Sequence, residues 1–585
     1  MTIKVGEVIS VSGIRIGIRI FDESNLETLF HYGEMYKGIS IREYIRIQRG
    51  FIDIVCLVEG EYLDESKRDG ESLSYIRKVD ARPIGYFSSG VFSEGIKFMP
   101  MIKDPVHLLK EDSVKAIFGK SEDGSFFIGK MLKEEIPVSL PWKKLFNSHI
   151  GIFGNTGSGK SNTLTKLYTT LFNNKRQRMH GRSEFVLLDF NGEYTSGQIA
   201  GAEAKSVLNL STGANGGDRF WLSASEFWNL DSLSILFQAT PSTQRPFLNR
   251  VIEGRNRFPR SLTNFLRSVF ERSLTTPSPR AELLEILRHI SNTLGDDDMD
   301  EALSKLSWHT DRAKFYDAEN RIFYNTSDGK YEANIKEHTD NLETNHLDAF
   351  QQLIVRSYTQ LAFDLIQGHV QFEHIQPLMK RIEASVTALR RVLEVADGDV
   401  AEAGTLLTVI SLKRCNTEMK KILPLLIAKH YYNLHKSSVA SPPNKTLHLI
   451  IDEAHNILSE QAARESESWK DYRLDMFEEI IKEGRKFGVY LTLSSQRPAD
   501  ISPTIVSQVH NFFIHRLVNE RDLQLLDNTI STLDSVSRSL IPNLARGCCI
   551  VTGTAFELPM VLQVDQLTRA QKPDSDDVDL NALWQ

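Results

Sequence analysis

The stretch His149-Ile150-Gly151-Ile152-Phe153-Gly154-Asn155-Thr156-Gly157-Ser158-Gly159-Lys160-Ser161 decides the fold. Its first residues read as a short apolar strand, its last eight fit G-x-x-x-x-G-K-[ST], and a helix is expected from Ser161 to Phe172. Strand, glycine-rich turn and helix in that order separate a phosphate-cradling loop from a chance glycine cluster. Glycines let the backbone aim several N–H groups at phosphate oxygens, and the helix N-terminus adds partial positive charge. The candidate nucleotide-binding residues are therefore Gly154, Asn155, Thr156, Gly157, Ser158, Gly159, Lys160, Ser161 and, in the first helical turn, Asn162. Lys160 is expected to reach the β- and γ-phosphates and Ser161 to hold a metal ion, so ATP and Mg²⁺ are the expected cofactors.

Moving outward, Phe185-Val186-Leu187-Leu188-Asp189 reads as a second buried strand, and Leu449-Ile450-Ile451-Asp452-Glu453 as a third that ends in two carboxylates. Beside a phosphate loop such a pair can divide labour: Asp452 is assigned to the metal and Glu453 to activation of the attacking water. Leu491-Thr492-Leu493-Ser494-Ser495-Gln496-Arg497 is another strand with a polar exit, where Gln496 could sense the γ-phosphate or orient water. Further strands are expected near Phe512 to Leu517 and Cys548 to Thr552, whereas Phe220 to Ala440 is mostly helical. Within that helical text, Asp296-Asp297-Asp298-Met299-Asp300 lacks ligand-like spacing and reads as a solvated loop. Upstream, Ile14, Ile16, Ile18 and Ile20 alternate with polar or small residues, Phe51 to Val58 is a second strand candidate, and glycine-rich turns follow, so a small β-barrel is expected. The expected class is α/β. A barrel spans 1–141, the first part of the core 142–219, a helical insertion 220–440, the second part of the core 441–566 and a C-terminal tail 567–585.

Composition narrows the chemistry. The 585 residues are 41% hydrophobic and 25% charged, which excludes global disorder and allows several domains. With 69 Lys+Arg against 76 Asp+Glu the net charge is -7, so any site for a polyanion must be local rather than a property of the whole surface. Lys175-Arg176-Gln177-Arg178, Lys380-Arg381, Arg390-Arg391 and Lys413-Arg414 are the candidate segments, each more readily read as a solvated helix face, so none is named as a DNA site. Four cysteines, two of them adjacent at Cys548 and Cys549, point to a reducing compartment and to core packing rather than zinc. His510 and His515 likewise read as structural. No basic leader and no run of about 20 apolar residues occurs, so a cytoplasmic protein without membrane contact is expected.

The four letters Asp452-Glu453-Ala454-His455 invite comparison with DEAH-box RNA helicases, but their long separation from Lys160 argues against that family, and no Q-R-x-G-R-x-G-R segment follows. In combination, the β-rich N-terminal region, Gly154 to Ser161, Asp189-Phe190-Asn191-Gly192-Glu193-Tyr194, Asp452 to His455, Glu483-Gly484-Arg485-Lys486-Phe487-Gly488 and Ser494-Ser495-Gln496-Arg497-Pro498 resemble the HerA family. The resemblance implies a RecA-like P-loop ATPase core with an N-terminal barrel and a helical insertion. It implies a homohexamer of the HerA/FtsK kind that pumps double-stranded DNA through a central pore. The expected partner is an effector docked on the barrel, either a NurA-like nuclease in DNA end processing or a sirtuin-like or other effector in anti-phage defence. In such rings ATP lies between subunits, which makes Arg485 the candidate trans-acting arginine, ahead of Arg497, Arg516 and Arg546. Glu193 becomes a candidate for coupling or water positioning. The competing expectation is a nucleotide-regulated hexameric scaffold that activates its effector with little translocation. A membrane-tethered FtsK-like pump is disfavoured by the lack of spans.

Overall fold

The computed structural model describes residues 3–31, 34–67, 73–118, 126–257, 262–324, 329–396, 398, 405–460, 467–575 and 583–584. Most of the acidic tail, 576–582 and 585, lies outside them.

The N-terminal unit is a barrel. Strands Arg15–Ile20, Lys4–Ser12, Pro105–Leu108, Tyr44–Arg49, Ile52–Lys67 and Leu73–Ser88 pair in that order, and the last closes onto the first through Ile16 against Ala81 and Ile18 against Val79. Closure leaves no unpaired edge among these six strands, which removes the main aggregation hazard of a small sheet. Alternation fills the interior with Val5, Val8, Ile16, Ile18, Ile45, Ile47, Ile54, Cys56, Val58, Val79 and Val106. Two expectations at strand ends fail for the same reason. Ile14 is 53% exposed and Phe51 fully exposed because each sits in a reversing turn, beside Gly13 and Gly50 with positive φ, where the two-residue period no longer applies.

Among the described residues the core sheet has eleven strands. Its parallel part runs Asn511–Ile514, Ile150–Phe153, Val489–Ser495, Thr446–Ile451, Ser183–Asp189, Leu407–Arg414, Lys205–Ser211. Four antiparallel strands extend it beyond Asn511–Ile514: Cys548–Gly553, Met560–Val564, Phe127–Met131 and Pro137–Ser139. This is a RecA-like P-loop core, with one strand, Val489–Ser495, between the phosphate-loop strand and the acidic strand. The helix after the loop runs from Lys160 to Met179, longer than expected. Cys548 and Cys549 are fully buried in the sheet.

Two domain boundaries move. The core begins at Phe127–Met131, not after Pro141, since Gly129 pairs with Val564 near the far end of the chain. Likewise the span 220–440 is not all insertion: Leu407–Arg414 is a core strand between Ser183–Asp189 and Lys205–Ser211. A short apolar run carries no mark of which sheet will receive it, and by periodicity alone it passes for part of a buried helix. The acidic stretch after Gly295 is also not a loop. Asp296 caps the helix Asp297–Ser304 by accepting the Met299 N–H at 2.9 Å, and the remaining aspartates occupy the positive end of that helix.

The insertion is helical, including Gln244–Arg257, Leu262–Thr275, Ala281–Leu294, Ala349–Gln367 and Phe372–Val392. Its apolar faces do not form a separate core. Leu248, Leu287, Leu353 and Leu389 belong to one continuous buried cluster with Phe153, Val186 and Leu188 of the sheet, so the insertion braces the strands that carry the site. A second cluster joins the outer barrel residues Tyr44, Val55, Ile84 and Phe92 to Phe126, Ile128 and Leu164 of the core. Among the described residues no helix is long and apolar enough to cross a membrane.

Candidate active site

The site forms where the parallel strands end. Gly154 follows Ile150–Phe153, Gln496 follows Val489–Ser495, Asp452 follows Thr446–Ile451 and the loop from Asp189 to Tyr194 leaves Ser183–Asp189. Open α/β sheets gather ligands at this edge because side chains and helix N-termini converge there.

The phosphate loop is fixed from both sides. Gly154 N–H donates to the Ser495 carbonyl (3.2 Å), Asn155 N–H to the Arg516 carbonyl (2.9 Å), and Gly547 N–H to the Ser158 carbonyl (2.8 Å). Gly159 has φ 110°, and a Cβ there would stand 2.9 Å from the Gly547 Cα, so no larger residue fits without moving backbone. Among the described residues the N–H groups of Thr156, Gly157, Gly159, Lys160 and Ser161 find no backbone acceptor. They are the donors a triphosphate would occupy. Beneath the loop, the buried His515 ring bonds the Thr163 hydroxyl (2.9 Å), and burial holds the imidazole down to about 4, hence neutral. Its role is structural.

Lys160 is buried. Its ammonium lies 2.9 Å from Glu453 Oε1 and 3.8 Å from Asp452 Oδ1. Burial lowers its pKa, but Asp452 and Glu453 together outweigh that and raise it above the ordinary lysine value. Asp452, completely buried, is pushed up by desolvation and by Glu453 against the pull of Lys160; its Oδ1 accepts the Ser494 hydroxyl at 2.8 Å and its Oδ2 has no hydrogen bond. Glu453 adopts φ 49°, a left-handed conformation that costs a non-glycine residue roughly 1–2 kcal/mol. The strain orients its carboxylate toward Lys160, with Oε2 facing His455 Nδ1 at 3.3 Å.

Glu193 joins this group through a loop that Asp189 builds. Asp189 Oδ1 accepts the N–H of Gly192 (2.7 Å), Glu193 (3.1 Å) and Asn191 (3.2 Å), and Oδ2 that of Tyr194 (2.9 Å). The turn brings Glu193 within electrostatic range of Asp452, Lys160 and the Ser161 hydroxyl. Burial and then Asp452 push the Glu193 carboxyl up to about 7, against the opposing influence of Ser161, Lys160 and Asn191. Gln496 accepts the Thr156 hydroxyl at 2.5 Å, which ties the sensor strand to the phosphate loop. Asn162 donates to the Asp565 carbonyl at 3.1 Å, so its amide is used inside the fold.

The structure thus brings Lys160, Ser161, Glu193, Asp452, Glu453 and Gln496 together. It leaves Arg485 out of the site of its own chain: this residue is exposed on the turn Gly484–Phe487 before Val489–Ser495, where its charge acts on His149 and His510 at the opposite ends of the strands. Arg497, Arg516 and Arg546 lie on the loop side and are exposed. Asp189 and His515 were not assigned to the site from sequence. An Asp at a strand end ahead of Asn-Gly is a turn signal that could have found the first, whereas nothing in the sequence links His515 to Thr163.

The donor set fits a metal-bound triphosphate. It combines an unpartnered carboxylate oxygen on Asp452, a serine opening the helix and a ring of free N–H groups beside a charged lysine.

Comparison with known proteins gives the same picture. Residues 126–360 match the family model described as Helicase HerA, central domain. The chain is 22% identical over 549 residues to the DNA double-strand break repair helicase HerA of Sulfolobus acidocaldarius, covering 89% of this chain and 86% of that protein. It is 24% identical over 469 residues to the protein of the same name from Saccharolobus solfataricus, covering 80% and 73%. Among solved structures, VirB4 of Thermoanaerobacter pseudethanolicus aligns with a TM-score of 0.43 at 14% identity, over 78% of this chain and all of that one. The matched segment starts where the core sheet starts, the likeness to the Sulfolobus acidocaldarius protein extends well beyond that segment, and the chain is similar to HerA helicases over most of its length.

Proposed function

We propose that this protein is a Mg²⁺-dependent ATPase that works as a homohexamer and uses hydrolysis to move along double-stranded DNA held in its central pore. The observation that carries the reading is the convergence of Lys160, Asp452, Glu453 and Glu193 on a loop in which the N–H groups of Thr156, Gly157, Gly159, Lys160 and Ser161 find no backbone acceptor among the described residues. The matched relatives, named as DNA repair helicases, supply the DNA.

The chemistry follows from the geometry. The carboxylates that clasp Lys160 stand in for phosphate oxygens, so an arriving triphosphate would compete for the ammonium and release Glu453. Ser161 and Asp452 would hold Mg²⁺, which supplies neutralisation of charge on the phosphates. Glu453, strained and set free, accepts the proton of the attacking water, and Gln496 orients that water from the neighbouring strand. Glu193 reports to this group from the far side of Ser161. Arg485, exposed and without an ion-pair partner among the described residues, is the arginine read to act on the nucleotide of an adjoining subunit.

The effector, a nuclease or a sirtuin-like enzyme in DNA end processing or defence, is read to dock on the barrel, where Leu26, Phe30, Phe51 and Leu63 are exposed. The deciding experiment measures ATP hydrolysis with and without linear duplex DNA. Duplex should stimulate the wild-type protein, and Lys160→Ala and Glu453→Gln should each lower the rate by about 10²-fold or more. Hydrolysis indifferent to DNA, with effector activation surviving both substitutions, would replace the motor by the nucleotide-regulated scaffold.

A further inference from the structure

Beside the nucleotide site the sheet edge opens into a pocket of about 370 Å³ at the carboxyl ends of Lys205–Ser211 and Leu407–Arg414. Lys413, Arg414, Ser411, Asn209 and Thr195 line it, together with the acidic Asp574. Most cations of the other basic segments singled out in the sequence are engaged elsewhere. Arg176 pairs with Glu203, Lys380 with Glu383 and Arg390 with Asp348, while Arg381 and Arg391 donate to the carbonyls of Phe237 and Thr212. Lys413 and Arg414 have no ion-pair or side-chain hydrogen-bond partner among the described residues, and both are exposed. Two unspent cations sharing a cavity with two hydroxyls and an amide form a donor set for a tetrahedral oxyanion. Among the described residues no aromatic side chain lines the cavity, so they offer a base nothing to stack on.

We propose that this pocket takes a backbone phosphate of duplex DNA and that its occupancy is felt at Glu193 through Lys413. The inference rests on the DNA reading given above and assigns it a contact. Gly192, the residue before Glu193, has φ 75°, and a Cβ built on it would stand 2.7 Å from Lys413 Cδ, so the loop backbone lies directly against the lysine stem. From the other side the Asp574 N–H donates to the Glu193 carbonyl at 2.9 Å. The Glu193 loop is therefore held between the lysine that would reach for the phosphate and a C-terminal segment whose carboxylate faces the same cavity. A phosphate drawing Lys413 inward withdraws support from Gly192 and displaces Asp574, and both changes act on the residue beside Ser161.

The test uses the full-length protein and a fluorescently labelled linear duplex, with binding followed across a salt series and ATPase followed with and without the same duplex. Each phosphate contact contributes about 0.9 to the slope of log affinity against log salt. Lys413→Gln combined with Arg414→Gln should therefore flatten that slope by about one, and duplex stimulation of hydrolysis should be lost. Asp574→Asn keeps the backbone bond to Glu193 and removes the competing charge, so duplex binding should tighten severalfold, a gain that misfolding cannot imitate. A double variant with unchanged slope and stimulation, beside a stimulated wild type, overturns the pocket and leaves the DNA reading standing. A double variant that keeps the slope but loses hydrolysis without DNA also overturns it, since the pocket would then serve nucleotide. Wild-type protein that neither binds nor responds to duplex overturns the inference together with the reading beneath it.

Discussion

Glu193 shows how one buried carboxyl can tie stability to activity. In the folded chain its pKa is pushed up to about 7, against an ordinary value of 4.5. The folded state therefore binds the proton more tightly than the unfolded chain. Stability contributed by this group is present below about 4.5 and is lost as pH rises toward about 7, above which the ionised form costs the fold. A protein that keeps such a group gains something from its charge. We expect kcat/KM for ATP, which reports the free enzyme, to rise through a limb near pH 7, and Glu193→Gln to lack that limb while still binding nucleotide. A pH profile identical in the two proteins would assign the ionisation elsewhere. Lys160 makes the opposite case: burial pulls its pKa down, and the neighbouring Asp452 and Glu453 more than offset that and hold it above the ordinary lysine value.

At the scale of the element, the Asp189 turn and the phosphate loop are built by different means. The phosphate loop needs glycine where backbone meets backbone, at Gly159 against Gly547. The Asp189 turn instead uses one carboxylate to collect four N–H groups, a local bond pattern that replaces regular structure. Asn offers a single acceptor oxygen and would set an NH₂ against the remaining donors. Asp189→Asn should therefore cost about 2 kcal/mol of unfolding free energy, readable as a lower denaturant midpoint. It should also reduce kcat more than nucleotide affinity, because the loop it loosens carries Glu193 and not the phosphate donors. Unchanged kcat would show that Glu193 needs no such support. The element scale is also where sequence reading faltered. The run from Leu406 to Leu412 has the length and composition of a buried strand, yet it stands among helices, and the two-versus-3.6 period cannot be told over so few residues. At Asp296 the acidic cluster reads as a solvated loop until the bond to Met299 N–H is seen.

For the whole molecule the arrangement of subunits decides whether Arg485 matters. Inside one chain it sits at the end of the sheet remote from the phosphate loop. If it serves a neighbour, Arg485→Ala and Lys160→Ala proteins should each be inactive alone and regain part of the ATPase rate when mixed. In the mixed ring an intact loop meets an intact arginine at some seams. Mixing that restores nothing, in a particle of six subunits by light scattering, would remove the trans role. The same scale explains the barrel. Its interior closes on itself, while Tyr44, Val55, Ile84 and Phe92 on its outer side pack into the core cluster, so it is attached rather than tethered.

What the sequence determined by itself was everything set by neighbours along the chain: the phosphate loop with its strand and helix, the acidic pair at the end of an apolar run, the alternation that makes a barrel, and the motif order that resembles HerA. Those features depend on spacings of a few residues, where sterics and hydrogen bonding are local. Tertiary structure alone decided that Phe127–Met131 belongs to the core, that His515 supports Thr163, that Lys160 is charged although buried, and that Lys413 touches the Glu193 loop. Each of those facts joins segments far apart in the chain, and burial, charge and contact between them exist only once the sheet has brought its strand ends to one edge.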